Sequence, residues 1–356
     1  MNRQDYAVVV GISTYGFIQP QLEGPERDAL EFAEWLREPD GGHVPPENVA
    51  LIRSSDFAQH NTPTQDPFSF EPTLTRVNIA FARLISLTVA NSGKVPRVGR
   101  RLYIYLSGHG VTPRVDPTTS TNQSGLLMAN CKEAVIPDHI SGQVYAEWFR
   151  LSHAFNEILL FMDCCRTDMA DVSVTPISAP VVAGGRVNEV QMFCAWATQW
   201  DSRAFELPLG NEQPPKKRGV FTYALLEALR TGSPDAQGHL TPKSIVGHLS
   251  IRVPQLRNGD GSQRPQFFPP EPDGRIVILD KVKAPAATNV TVTFAPALFG
   301  KPVELQDGTF APLQGHTAGE QPWQLALSPG TYVIHVDGQD TSLSVRPGET
   351  KAQHIG

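Results

Sequence analysis

FMDCCR, residues 161–166, read together with YLSGHG, residues 105–110, decides how the rest of the chain is understood. In each, a short apolar run stops abruptly in reactive side chains. Arg101 to Leu106 ends in Ser107, Gly108, His109 and Gly110, and Ile158 to Met162 ends in Asp163, Cys164, Cys165 and Arg166. Unbroken apolar runs of roughly four to eight residues suit strands covered on both faces, as in a parallel sheet. In open α/β sheets, binding and catalytic groups collect at the carboxyl ends of such strands. A histidine at one strand end and a cysteine at another are then neighbours in space while far apart in the chain, the arrangement a cysteine–histidine nucleophile needs.

Working outward, Tyr6 to Gly11 reads as a first buried strand, followed by a loop from Ile12 to Gly24. A helix from Pro25 to Arg37 comes next, with Ala29, Phe32, Ala33 and Leu36 at helical spacing. Val49 to Ile52 is a further strand, Ser54 to Pro72 a polar, Pro-punctuated loop, and Leu74 to Val89 a helix leading to the histidine strand. Beyond the cysteine strand, Thr167 to Asn188 has no sustained period and reads as a long linker. Gln191 to Trp196 then reads as a strand, and Gly219 to Arg230 and Pro242 to Val253 as helices. Strand–helix alternation of this kind gives one α/β domain over residues 1–280. After Lys281 the pattern changes to period two between Pro and Gly turns (NVTVTFAP, WQLALSPGTYVIHVDG), which predicts an antiparallel, Ig-like β-sandwich over 286–356 as a separate accessory domain. Its His335 reads as structural.

The chain has 356 residues, 40% of them hydrophobic, enough for a large domain and a smaller one, and a formal net charge of −6 gives no reason to expect direct nucleic-acid binding. No secretory leader and no run long enough to cross a bilayer is present, so a soluble cytoplasmic protein with no membrane partner is expected. The four cysteines, Cys131, Cys164, Cys165 and Cys194, fit neither a disulfide scaffold nor a zinc spacing, which points to a reducing compartment and implies no metal and no cofactor. Cys194, in QMFCAW, reads as a small buried hydrophobe.

Cysteine attacks as thiolate, and an imidazole beside it lowers its pKa by forming an ion pair. His109 is the placed candidate: glycines on both sides allow backbone to approach a substrate, and the Gly110 N–H, with that of the nucleophile itself, can donate to a developing oxyanion. Chemistry alone leaves open which of Cys164 and Cys165 attacks.

These residues carry a resemblance. SGHG at 107–110 and the D-x-C of Asp163–Cys165 resemble the paired motifs of the caspase-like cysteine peptidases (caspases, metacaspases and paracaspases), and VVVGISTY, GPERDA and GVFTYALLEAL extend the likeness over the first 270 or so residues. The resemblance implies a caspase–haemoglobinase fold, a bacterial-type homologue, and His109 with Cys165 as the catalytic dyad. The usual Asn-Asp at the first helix start is Arg27-Asp28 here, so only the aspartate carries over. In basic-specific members that acid and the one two residues before the nucleophile line the primary pocket, which places Asp28 and Asp163 in substrate binding. Paired buried carboxylates are costly unless a cation arrives between them, a reason to select Arg or Lys. Read without the resemblance, Asp28 is a solvated first-turn residue complementing the helix dipole.

The expectation is therefore an intracellular cysteine endopeptidase cleaving protein or peptide substrates after Arg or Lys, answerable to a regulatory protein. The resemblance also admits a role in cell-suicide or antiviral proteolysis. Self-cleavage is expected at Arg186, or at Lys217 and Arg218, in loops read as exposed. Two competing accounts are a catalytically silent scaffold that binds proteins and metal-dependent hydrolysis at His109, Cys165 and Asp163; the second lacks zinc-ligand spacing.

Overall fold

The computed structural model describes the chain apart from residues 1, 87–96, 115–122, 133–134, 136, 176, 178–188, 211–213, 233, 236, 259–260, 273–274, 281–286, 309, 329 and 346–349. In chain order the main elements are β1 (Asp5–Gly11), α1 (Pro25–Arg37), β2 (Val49–Arg53), α2 (Leu74–Ser86), β3 (Arg101–Ser107) and β4 (Gly110–Arg114). Then come β5 (Gly125–Leu127), β6 (His139–Ser141), α3 (Gly142–Ser152), β7 (Glu157–Asp163), β8 (Thr167–Ser173) and β9 (Gln191–Trp196). β10 (Glu206–Pro208), β11 (Lys217–Gly219), α4 (Val220–Thr231), α5 (Pro242–Leu256) and β12 (Gln266–Phe268) follow.

The apolar runs at 101–107 and 157–163 lie side by side in the middle of a six-stranded sheet of order β12-β9-β7-β3-β1-β2, parallel except for β12. Both faces are covered, which is why these runs do not alternate in polarity. Leu102, Ile104 and Leu106 of β3 and Ile158, Leu160 and Met162 of β7 join one apolar cluster with Phe81 of α2 and Tyr145 and Phe149 of α3. On α1, Phe32 stacks on Tyr105 at 4.7 Å and meets Phe161 edge-on. Emptying a buried aromatic position of this kind costs about 3–5 kcal/mol. Charged pairs sit at the amino ends of the same strands, Arg101 with Glu157 at 2.6 Å and Arg100 with Asp5 at 2.5 Å, so the register is fixed at the end remote from His109 and Cys165.

Several elements went unread in the sequence. α3, and the second sheet of order β6-β5-β4-β8, were not foreseen, and β8 shows that the supposed linker begins as a strand. Residues 176 and 178–188 of that linker, with Arg186, lie outside the described residues. Lys217 and Arg218, read as lying in an exposed loop, instead fall in β11, which pairs antiparallel with β10.

The described structure divides into two compact units, Met1–Tyr223 with Gly261–Glu271, and Ala224–Asp260 with Pro272–Gly356. In the second, seven strands follow one another: β13 (Thr288–Phe294), β14 (Pro302–Asp307), β15 (Pro312–Thr317), β16 (Trp323–Leu327), β17 (Gly330–Val336), β18 (Gln339–Val345) and β19 (Lys351–Ile355). They form sheets of order β16-β13-β19 and β15-β14-β17-β18, whose alternating inward residues Val290, Val292, Leu305, Ile334 and Leu343 share one core. All pairings are antiparallel except β13 with β19. Within this unit the buried His248 of α5 meets Thr331 of β17 at 3.0 Å, so α5 is tied to the strands that follow it. His335, exposed, pairs with Asp340 at 2.6 Å.

Candidate active site

The register of the central strands places the site. β3 and β7 pair through Ser107↔Asp163, and β4 and β8, which continue them, pair through Val111↔Thr167, also parallel. His109 and Cys165 lie midway between these two ladders and so stand abreast, in the gap where one sheet ends and the other begins. The backbone is drawn tight there. Gly108 N–H donates to the Asp163 carbonyl at 3.3 Å, and a Cβ on Gly110 would sit 2.3 Å from the Cys165 carbonyl oxygen. Gly108 has φ 152° and a Cβ there would fall 2.4 Å from the Tyr15 hydroxyl, so both glycines of the motif are required by close approach.

His109 is held from three sides by the loop after β1. Its backbone N–H donates to the Tyr15 hydroxyl at 2.8 Å, and the Tyr15 ring lies edge-on to the imidazole at 4.9 Å. Its Nε2 lies 2.9 Å from the Pro20 carbonyl. A carbonyl only accepts, so the geometry assigns the proton to Nε2 and leaves Nδ1 as the basic nitrogen. Gln21 braces the loop by accepting from Tyr15 N–H at 2.7 Å and donating to the Tyr15 carbonyl at 2.8 Å. Tyr15 is buried, which holds its phenol well above the ordinary range and keeps it neutral.

The two adjacent cysteines differ sharply. Cys164 is buried in the apolar cluster with its sulfur under Gly110, and burial pushes its thiol well up, which leaves it inert. Cys165 is half-buried and donates from Sγ to the Ala204 carbonyl at 3.6 Å. Burial raises its pKa, with the Asp163 carboxylate adding and Arg203 opposing. Burial thus favours the neutral thiol at Cys165. Behind Cys165, the guanidinium of the buried Arg166 lies over the rings of Trp196 and Trp200 and donates to the Thr198 carbonyl at 3.1 Å and to Gln266. Burial without an acid partner lowers its pKa to about 9.

His109 and Cys165 open on a cavity of about 650 Å³ that also takes in Asp28, Asp163, Glu206 and Arg203. Asp163 Oδ2 accepts from Thr222 N–H at 3.1 Å and Oγ1 at 2.6 Å. Burial pushes its carboxyl up to about 6, with the Thr222 bonds lowering it and Glu206 adding to the rise. Asp28 is fully buried rather than a solvated first-turn residue. It accepts from Gly219 N–H at 2.7 Å and from Arg218 Nε at 2.5 Å, and burial pushes it up to about 7 against the pull of Arg218. Arg218 continues to Glu31 at 2.9 Å.

Two sequence expectations are corrected here. Arg218 is not in an exposed loop open to cleavage but buried in β11, where Asp28 and Glu31 hold it. Lys217, though its side chain is half exposed, is bound into the same strand and paired with Glu23 at 2.7 Å. Glu206 was missed. Its carboxylate accepts from Gly24 N–H at 2.7 Å and Glu23 N–H at 3.3 Å, at the start of α1. Nothing in AFELP marks it, and the Pro20 and Ala204 contacts are made by backbone, which carries no signal in sequence. Among the described residues no group of three or more His, Cys, Asp or Glu is placed to hold a metal, and no helix is long and apolar enough to cross a membrane.

Residues 4–273 match the family model described as the caspase domain. A protein of a Desulfuromonadales bacterium, described as a probable protease, is 30% identical over 236 residues, which are 64% of this chain and 26% of that relative; the chain thus spans about a quarter of its length. Among solved structures, a protein from Geobacter sulfurreducens is 16% identical, covers 74% of this chain and 92% of its own, and has a TM-score of 0.42. Caspase-1 from Spodoptera frugiperda is 10% identical over 75% of this chain and 86% of its own, with a TM-score of 0.39.

Proposed function

The chain belongs to the caspase-domain family of peptidases, and from that premise we propose that it is a cysteine endopeptidase acting after Arg or Lys through His109 and Cys165. The observation that carries the reading is the double register that sets these two residues abreast at one cavity. In the proposed cycle, Nδ1 of His109 takes the Cys165 thiol proton as Sγ attacks the scissile carbonyl carbon. The resulting oxyanion is met by the N–H groups of Gly110 and Cys165. Across β4–β5 the local bond runs from Leu127 N–H to the His109 carbonyl, so the Gly110 N–H is not used by that pairing. His109 returns the proton to the leaving amine, and water activated by the same nitrogen then hydrolyses the acyl-enzyme. The Pro20 carbonyl stabilises the imidazolium through Nε2–H throughout.

The wall that would receive the basic side chain carries three carboxylates. Asp28 already holds Arg218, and both Thr222 bonds fall on one oxygen of Asp163, so Asp163 Oδ1 and Glu206 are the groups assigned to an incoming cation. Residues 286–356 are proposed as an accessory domain that positions a protein substrate, beside a peptidase domain over 1–280. A cytoplasmic setting, control by self-cleavage at Arg186 and a part in cell-suicide or antiviral proteolysis belong to the same proposal. Fluorogenic peptides ending in Arg, Lys, Asp or Leu test it: turnover of the Arg and Lys peptides alone is expected, and equal or faster turnover of the Asp peptide would overturn the assigned specificity.

A further inference from the structure

We propose that Arg203 makes this site select substrates carrying a carboxylate side chain next to the basic residue at the cleaved bond; the inference rests on the reading of the site as a basic-specific cysteine peptidase. The cations around the cavity fall into two kinds. Lys217 is paired with Glu23, and Arg218, just behind the lining, is closed between Asp28 and Glu31. Arg203 lines the cavity beside Cys165, is exposed, and has no carboxylate partner among the described residues. Its charge reaches the reacting sulfur, since it opposes the rise in the Cys165 pKa.

The backbone carrying Arg203 is fixed rather than free. On one side the Ser202 carbonyl accepts from Arg166 N–H at 2.9 Å, and on the other the Ala204 carbonyl accepts from Cys165 Sγ. Phe205 N–H then donates to Gln263 at 3.2 Å, and its carbonyl accepts from Val220 N–H at 3.0 Å. A long cation is thus presented from a backbone anchored to the nucleophile itself. The cavity is therefore bipolar, with Asp163 and Glu206 on its acidic side and Arg203 as its unpaired cation. A peptide whose basic side chain enters the acidic side brings its adjoining residues past Sγ, and a carboxylate there completes the charge pattern.

The test uses the full chain and a set of quenched peptides of one sequence with a single Arg, placing Asp, Asn or Lys in turn at each of the neighbouring positions on either side of the cleaved bond. At one of these positions Asp should exceed Lys in kcat/KM by about five- to tenfold at low salt, and the ratio should shrink as ionic strength rises. Arg203→Glu should invert the order at that same position, and Arg203→Gln should flatten it; the ratio is read within each enzyme, so changes in total activity do not enter. A wild-type ratio within about twofold at every position, or an Arg203→Glu enzyme that keeps the wild-type order, overturns the inference while leaving a basic-specific peptidase in place. Failure to cleave any Arg peptide, with Cys165 unreactive to an Arg-bearing electrophile, removes the parent reading and the inference with it.

Discussion

The strand ends that carry His109 and Cys165 and the acidic wall of the cavity, with Asp28, Asp163 and Glu206, hold their functional groups by different means. On the first, position follows from backbone register: two parallel ladders leave both residues abreast, and carbonyls of Pro20 and Ala204 orient them. On the second, position follows from side chains meeting across the chain, Asp28 with Arg218 and Asp163 with Thr222. A register tolerates changes in side chains that face away from the site, whereas a buried charge pair fails when either member is lost. Under the proposed function, the edge with His109 and Cys165 should therefore respond in turnover, and the acid wall in both specificity and stability.

The largest expected effects test the first half of that contrast. Cys165→Ala and His109→Ala should each lower kcat/KM by about a thousandfold or more without moving the thermal midpoint, whereas Cys164→Ala should keep turnover within about tenfold. Its cost should appear in the melt, because that thiol fills the core. Activity lost on Cys164→Ala and kept on Cys165→Ala would reverse the assignment. Gly110→Ala comes next. Its methyl group would have to displace the Cys165 carbonyl, so kcat should fall by about a hundred- to a thousandfold with KM little changed. A mild effect would mean that the Gly110 N–H is not an oxyanion donor.

On the acid wall, Asp163→Asn should reduce the preference for Arg over Leu peptides by roughly tens to thousands fold. Asp28→Asn should instead lower stability by about 3–5 kcal/mol, because it removes the buried acid against Arg218, which then keeps only Glu31, and Asp28→Asn with Arg218→Met should recover much of the loss. Equal effects of Asp163→Asn and Asp28→Asn on specificity, with neither affecting the melt, would erase the distinction between the two acids.

The smallest expected effect is in pH. Asp163 and Asp28 have pKa values raised to about 6 and about 7, so their negative charges are present above that range and are lost as the pH falls through it. KM for Arg peptides should rise on acidification from pH 8 to pH 5.5 in the wild type, and less so in Asp163→Asn. Stability runs the other way. A carboxyl whose folded-state pKa exceeds its unfolded value contributes most below the unfolded value, and that contribution disappears as the pH rises through about 6–7. These two acids should therefore make the protein more heat-stable at pH 6 than at pH 8, by a margin that Asp28→Asn with Asp163→Asn removes.

The same contrast governs what could be read from sequence. β1, α1, β3, β7, β9 and the alternating strands after Thr288 were legible because each is a run with its own period. His109 and Cys165 were legible because those runs end at them. β5, β6, β10 and β11 are three residues long, too short for a period to register, and they are strands only because distant segments pair with them. Glu206 and the role of Arg218 stayed hidden for the same reason: their partners at the start of α1 are remote in sequence.

Labelling with an arginyl chloromethyl ketone, followed by peptide mass spectrometry, tests the central claim most directly. The account predicts one adduct, on Cys165, slowed strongly by His109→Ala and by Asp163→Asn, with an aspartyl analogue reacting far more slowly. An adduct on Cys164, an arginyl probe no faster than the aspartyl one, or labelling indifferent to His109 would contradict it.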